Sequence, residues 1–290
     1  MAETEHSARS TALDIADLEA SVERSRAQRD RRTRVSGILY PIGVVLGVLV
    51  VWEAVTRIFG VPAFLVPPPS AIGASFVANS HLLLSHGWIT TLEILLGFAL
   101  SIVVGIPLAL AIFLWPVFSR SILPLLVSSQ AMPKVAVAPL LLVWFGFGLL
   151  PKVLIAFLIA FFPIVINTVV GLASIEPEKI YLARSMGFGA TATFFKIRLP
   201  NALPAIFGGL KISITLAVVG AVVGEFVGGD AGLGYLLMVA NGSMDTALLF
   251  AGIVALTVLG VVLYLLVELA ERLAIPRHII SGDKGARETF

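Results

Sequence analysis

The sequence predicts an all-α polytopic membrane protein with six transmembrane helices. Three observations carry this reading. Hydrophobic residues make up 58% of the 290, charged residues only 13%, and mean hydropathy is +1.00, whereas a soluble domain carries roughly 25% charge. Six apolar runs are each long enough to cross a bilayer core, which takes about 20 residues of helix. Lysine and arginine fall on one side of those runs. Composition also excludes other classes. The net charge of +2 is too small and the apolar content too high for disorder or a nucleic-acid surface, despite a pI near 9.0. The absence of cysteine removes disulfides, thiolate catalysis and zinc-thiolate sites. His6, His81, His86 and His278 all lie outside the long apolar runs, so no histidine metal site is expected within the membrane.

The runs are about Ile38–Phe59, Ile89–Trp115, Ser121–Phe145, Val153–Ala173, Ile206–Val227 and Ala247–Leu269. Gly146–Lys152 between the third and fourth fits a tight turn. Pro107, Pro133, Pro139 and Pro163 interrupt runs, which neighbouring helices make tolerable. The first run is too long for a signal-peptide core and reads as a retained span.

Arg9, Arg24, Arg26, Arg29, Arg31, Arg32 and Arg34 precede span one. Placing them in the cytoplasm puts Arg120, Lys179, Arg184, Lys196, Arg198, Arg272, Arg277, Lys284 and Arg287 inside as well. Only Arg57 and Lys152 fall clearly outside. Both termini are then expected in the cytoplasm. This divides the chain into an N-terminal tail (1–37), a six-helix membrane domain (38–275) with an inner loop at 174–204, and a C-terminal tail (276–290). In the first tail, Thr11 and Asp14 open a possible short helix with Leu13, Ile15, Leu18 and Val22 on one side. Nothing else there fixes a partner, so we read a cytoplasmic tail. The outer loop Gly60–Gly87 holds Pro67-Pro68-Pro69 and a helical stretch Ala71–Leu84. It reads equally as a rigid connector or as a docking edge for an extracytoplasmic partner.

The inner loop is the informative segment. Pro177 suits a first helical turn, and Glu176 and Glu178 favour that end through the helix dipole. Ile180, Leu182, Ala183 and Met186 give a weakly apolar face, and Gly187 and Gly189 turn the chain. A second amphipathic stretch, Thr191–Leu199, carries Phe194, Phe195, Lys196 and Arg198; Pro200 and Pro204 are expected to stop it before span five. Such short helices are not stable alone in water and need a covering surface.

The pattern Ala183-x3-Gly187-x9-Ile197-x-Leu199-Pro200 resembles the inner-loop signature of binding-protein-dependent ABC importer permeases, Glu-Ala-Ala-x3-Gly-x9-Ile-x-Leu-Pro. Tyr181 and Leu182 stand in place of its Glu and first Ala. VPPPSAI, TTLEILLGFALSIVVGIPLAL, MPKVAVAPLLLVWFGFG, FFPIVINTVVGL and GEFVGGDAGLGYLL are similar to the nitrate/sulfonate/taurine-type subfamily, over about Trp52 to Pro276. The resemblance implies the type I importer (MetI-like) permease fold. It further implies two permease copies enclosing a pathway, two cytoplasmic ABC ATPase subunits beneath, and an extracytoplasmic substrate-binding protein above, all in a bacterial plasma (inner) membrane. No cofactor is expected on this chain. It has no GxxxxGK[ST] loop and no Gly-Lys pair, so ATP and Mg belong to the partner ATPase and the chain itself is not expected to be an enzyme.

For ATPase coupling the candidates are Tyr181, Ala183, Arg184, Met186, Gly187 and Phe188; the alternative is that Met186 and Phe188 pack under the membrane face. For the pathway or gate they are Ser128, Gln130, Lys134, Gly224 and Glu225. Charges within spans are costly and are functional candidates by default. Lys134 with Ser128, Ser129 and Gln130 could face an anion or clamp helices together. Glu225, beside Gly224, could gate the pathway or pair with Lys152 or a backbone group. Glu53, Glu93 and Glu225 are placed near outer ends, where water lowers their cost. Asn167, Thr168, Ser213 and Thr215 read as packing residues, and Trp52, Trp88, Trp115 and Trp144 as an interface belt. The function expected is transmembrane permease of an ATP-driven importer for a small solute such as a sulfonate, taurine, nitrate or bicarbonate. The alternatives are a stand-alone secondary transporter or channel, which would need Lys134 as its coupling group, and an intramembrane hydrolase, which lacks an embedded base.

Overall fold

The computed structural model describes Tyr40 and residues 42–275. The readings made for both tails lie outside them. The chain divides at Ser70 into two units.

In the first unit, residues 42–58 form helix α1, apolar and exposed along Val44, Val48 and Val51. Its end is closed by a turn in which Val61 N–H reaches Thr56 O and Gly60 N–H reaches Arg57 O. The Glu53 carboxylate accepts from Arg57 Nε at 2.5 Å and from the Ser70 N–H and hydroxyl at 3.0 and 2.8 Å. Ser70 lies in the first turn of α2 (Pro69–Ala78), so Glu53 satisfies an otherwise orphaned donor there. The proline triplet therefore ends as a helix start.

The second unit is built from α3 (Ser80–Leu114), α4 (Pro116–Ser129), α5 (Ala138–Phe145), α6 (Leu149–Ala173), α7 (Pro177–Ser185), α8 (Ala190–Thr193), α9 (Leu199–Gly228), α10 (Leu233–Gly242) and α11 (Thr246–Ala274). Among the described residues four helices are long and apolar enough to span a membrane, or five with the bent pair α4–α5. At 1.5 Å per residue the 35-residue α3 is about 52 Å long, well beyond a bilayer core of about 30 Å. Its first turns absorb the end of the stretch expected to be a separate outer helix.

The core is α6 clasped between α3 and α9. Ala156 makes this possible: a Cβ on Gly97 of α3 would lie 2.6 Å from its Cβ, and one on Gly220 of α9 would lie 2.5 Å from its Cα. Small residues thus bring backbones together where apolar transfer gives no driving force between helices. Hydrogen bonds cross the same seams, Ser101 Oγ to Phe157 O at 3.2 Å and Ser213 Oγ to Ala160 O at 2.6 Å. Ser213 and Thr168 are fully buried.

Two expectations need correction. The third run is not one straight span: it breaks after Ser129, and α4 meets the Lys134–Phe145 segment at 88°. Pro133 is the reason, since it has no N–H and sits extended at φ −69°, ψ 93°. Pro200 and Pro204 do not stop the inner segment, because Ala190–Gly228 runs on as one apolar helix. A π-helical turn at Phe194–Arg198, in which Leu199 N–H reaches Phe194 O, widens the helix just before Pro200. Burial against α6 then holds the helix through both prolines.

Candidate functional site

The α6–α9 connection forms a small projecting unit. Pro177 opens α7 at a position that needs no N–H, with Glu178 in the first turn and Arg184 in the last, each matching the dipole at its end. Its C-terminus is a Schellman turn: Phe188 N–H donates to Ala183 O at 3.0 Å and Gly187 N–H to Arg184 O at 3.0 Å. Gly187 takes φ +82°, the left-handed conformation this turn demands. The sequence candidates thus occupy one structural motif. Ala183 is its buried contact at 2% exposure. Arg184 is exposed, and Phe188 is half-buried with Lys196 Nζ 5.6 Å from its ring. Tyr181 and Met186, both 67% exposed, and Leu182 project outward. A helix this short leaves bare apolar groups beside exposed charge, an arrangement not stable alone in water.

The pathway candidates divide. Ser128 and Gln130 are exposed near the α4 terminus. Lys134 lies in the 3-10 turn after the bend, half-buried, with its Nζ 4.7 Å from the Phe162 ring centroid. These three share one break in the bundle. Gly224 and Glu225 lie elsewhere, at the far end of α9. A Cβ on Gly224 would approach Lys152 Cα to 3.0 Å, so the glycine sets the α9–α6 distance there.

Glu225 is not near water. It is 1% exposed, and Glu93 is fully buried, which corrects the expectation that solvent relieves both. Glu225 accepts from Thr90 Oγ1 at 2.6 Å and from Gly234 N–H at 2.5 Å. Thr90 in turn accepts from Leu233 N–H at 2.8 Å, and His86 Nδ1 accepts from Gly232 N–H at 3.0 Å. Three successive donors at the start of α10 are therefore capped by side chains of α3 and α9. Lys152, read from sequence as an outer loop residue, is 2% exposed in the first turn of α6. It pairs with Glu93 at 3.0 Å, lies 3.5 Å from Asp230, and donates to Ala231 O at 3.3 Å. Sequence reasoning missed His86, Thr90 and the Lys152–Glu93 pair. The usable signal was Glu93 itself, since a carboxylate inside an apolar run requires a cation nearby.

Residues 101–277 match the family described as binding-protein-dependent transport system inner membrane component. The riboflavin transport system permease protein RibX of Chloroflexus aurantiacus is 41% identical, over 81% of this chain and 88% of that protein. The putative aliphatic sulfonates transport permease protein SsuC of Bacillus subtilis is 32% identical, over 87% and 91% respectively. A solved chain of the inward-facing MetNI methionine ABC transporter superposes with a TM-score of 0.58 at 18% identity, over 68% of this chain and 98% of that one; this likeness establishes the MetI-like fold. Permeases of this family act in the membrane with an ATPase and a substrate-binding protein. With the capped inner motif, the crossed apolar helices and the family match over more than half its length, the chain belongs to the binding-protein-dependent inner membrane components and is an ABC importer permease.

Proposed function

We propose that α7 and its Gly187 turn form the coupling plug that seats in the ATPase, with Tyr181, Arg184, Met186 and Phe188 at the contact and Ala183 holding the turn together. The single observation behind this is the Schellman-closed helix with Tyr181, Leu182 and Met186 left bare. Nucleotide shifts the permease only through contacts that differ between its states, and a rigid exposed plug is suited to make them. In this reading the plug, both tails and the C-terminal end of α11 are cytoplasmic, while α10 faces the exterior. Two identical permease chains pair, with two ATPase subunits below and one binding protein above. Because the chain has no cysteine, Met186→Cys is a unique label. It should cross-link to a cysteine in the ATPase groove, and an absence of cross-links in the assembled, transporting complex would overturn the coupling role.

The substrate is a small solute handed over from outside. Lys134, with Ser128 and Gln130 beside it at the α4–α5 bend, supports an anion such as a sulfonate, taurine, nitrate or bicarbonate. Gly224 and Glu225 then act at the outer gate by fixing α9 against α6 and α10. The 41% identity to RibX favours a second reading, a flat nitrogen heterocycle. Competition of labelled taurine uptake by riboflavin, and the reverse, separates the two. Under the anion reading Lys134→Gln lowers taurine uptake with ATPase assembly unchanged.

A further inference from the structure

The π turn poses a mechanical question, because a wide turn between the plug and α9 is a natural place to lose motion. Three contacts bridge it. Arg198, its last residue, donates from Nη1 to Leu172 O at 3.3 Å, in the final turn of α6. The same guanidinium stacks 5.1 Å from the Phe113 ring at the end of α3. On the other side Lys196 Nζ lies over Phe188, the residue that closes the Gly187 turn. Below the joint α6 and α9 are fused: a Cβ on Gly171 would lie 2.8 Å from Ala205 Cβ and 3.0 Å from Ala202 O. Phe194 packs against the buried cluster that includes Leu172, Ala202 and Ile206.

Arg198 suits this joint for chemical reasons. Leu172 O is one of the last carbonyls of α6, which have no partner within that helix. A cation there also meets the negative end of the helix dipole. The planar guanidinium can donate in its plane while stacking by its face, which an ammonium cannot do. One side chain at the base of α9 thereby reaches the ends of both α3 and α6.

We propose that Arg198 is a positioning residue for energy coupling, tying the plug's motion to the ends of α3 and α6 so that the π turn does not absorb it. This rests on the coupling reading above. A purely structural role would lower uptake and ATP hydrolysis together as less complex assembles, and would leave their ratio alone. A positioning role raises the ratio of ATP hydrolysed to solute imported. In the full complex with its ATPase and binding protein, Arg198→Ala should raise that ratio by about fivefold, within the range by which residues touching neither ligand alter coupling between sites. Arg198→Lys should fall between, since it keeps a donor for Leu172 and loses the flat stack. Phe113→Ala, which leaves Arg198 in place, should shift the ratio in the same direction, and it decides the matter if Arg198→Ala does not assemble. An unchanged ratio in the assembled variants, with the Met186→Cys cross-link intact, overturns the role of Arg198 alone. Loss of that cross-link in the otherwise unaltered chain overturns the coupling reading instead.

Discussion

Gly187 and Met244 occupy the same stereochemical position and answer it differently. Both follow a helix and take positive φ, +82° and 57°. Both close a Schellman turn, since Met244 N–H reaches Asn241 O and Asp245 N–H reaches Ala240 O. An L side chain in this conformation costs about 1–2 kcal/mol. Met244 is 72% exposed and makes no compensating burial, so Met244→Gly should stabilise the protein by about 1 kcal/mol. Thermal unfolding in detergent checks this, and a lowered midpoint would refute it. Gly187 is different because open space surrounds it. Gly187→Val therefore brings its Cβ against no packed neighbour and acts through the strained backbone, swinging Phe188 and the start of α8 off their line. The expected result is a complex that still hydrolyses ATP and imports solute several-fold less per ATP, measured in proteoliposomes.

The Lys152–Glu93 pair joins α3 to α6 in a site that neither helix could solvate alone. Removing one partner leaves a buried charge and costs about 3–5 kcal/mol, whereas replacing both with apolar residues of similar size is close to neutral. Lys152→Ala and Glu93→Ala should each lower the unfolding midpoint sharply, and the double variant Lys152→Met with Glu93→Leu should recover most of it. If the double variant is as unstable as the two singles combined, the pair is not what destabilises them. Why the sequence hid this pair is physical. Hydropathy locates α3, α6, α9 and α11 because a span must be apolar along its whole length. It carries no direction, so the 88° bend after Ser129 was invisible. Nor does it reveal α10, whose ten residues are too few to cross and whose first N–H groups are satisfied by His86 and Thr90, more than 140 positions earlier. The inner turn was legible because its partners are local: Pro177, Ala183, Gly187 and Phe188 lie within a dozen residues. The continuity of Ala190–Gly228 was not, because proline signals a stop only where water or a loop can take over the freed carbonyls.

Topology across the membrane follows from counting crossings, and here the bent pair decides the count. α9 is long and apolar enough to cross, so Met186 and Asp230 are expected on opposite sides. Between the arginine-rich segment at Arg24–Arg34 and Met186 lie α1, α3, the α4–α5 pair and α6. Four crossings return the chain to its starting side, and three do not. Positive charge argues for four: Arg24, Arg26 and Arg29 should share the cytoplasm with Lys179, Arg184 and Lys196. The bend at Pro133 could remove one crossing by returning the chain to the face it left, and so could α1 if it does not cross. A membrane-impermeant maleimide reads the answer, since each single cysteine is unique in this chain. Asp230→Cys should label in intact cells. Ser25→Cys and Met186→Cys should both label only after permeabilisation. If Ser25→Cys labels from outside while Met186→Cys does not, the count between them is odd and the α4–α5 segment or α1 does not cross. If Met186→Cys labels from outside, the plug cannot meet a cytoplasmic ATPase, and the exposed Tyr181, Leu182 and Met186 must be covered by something else.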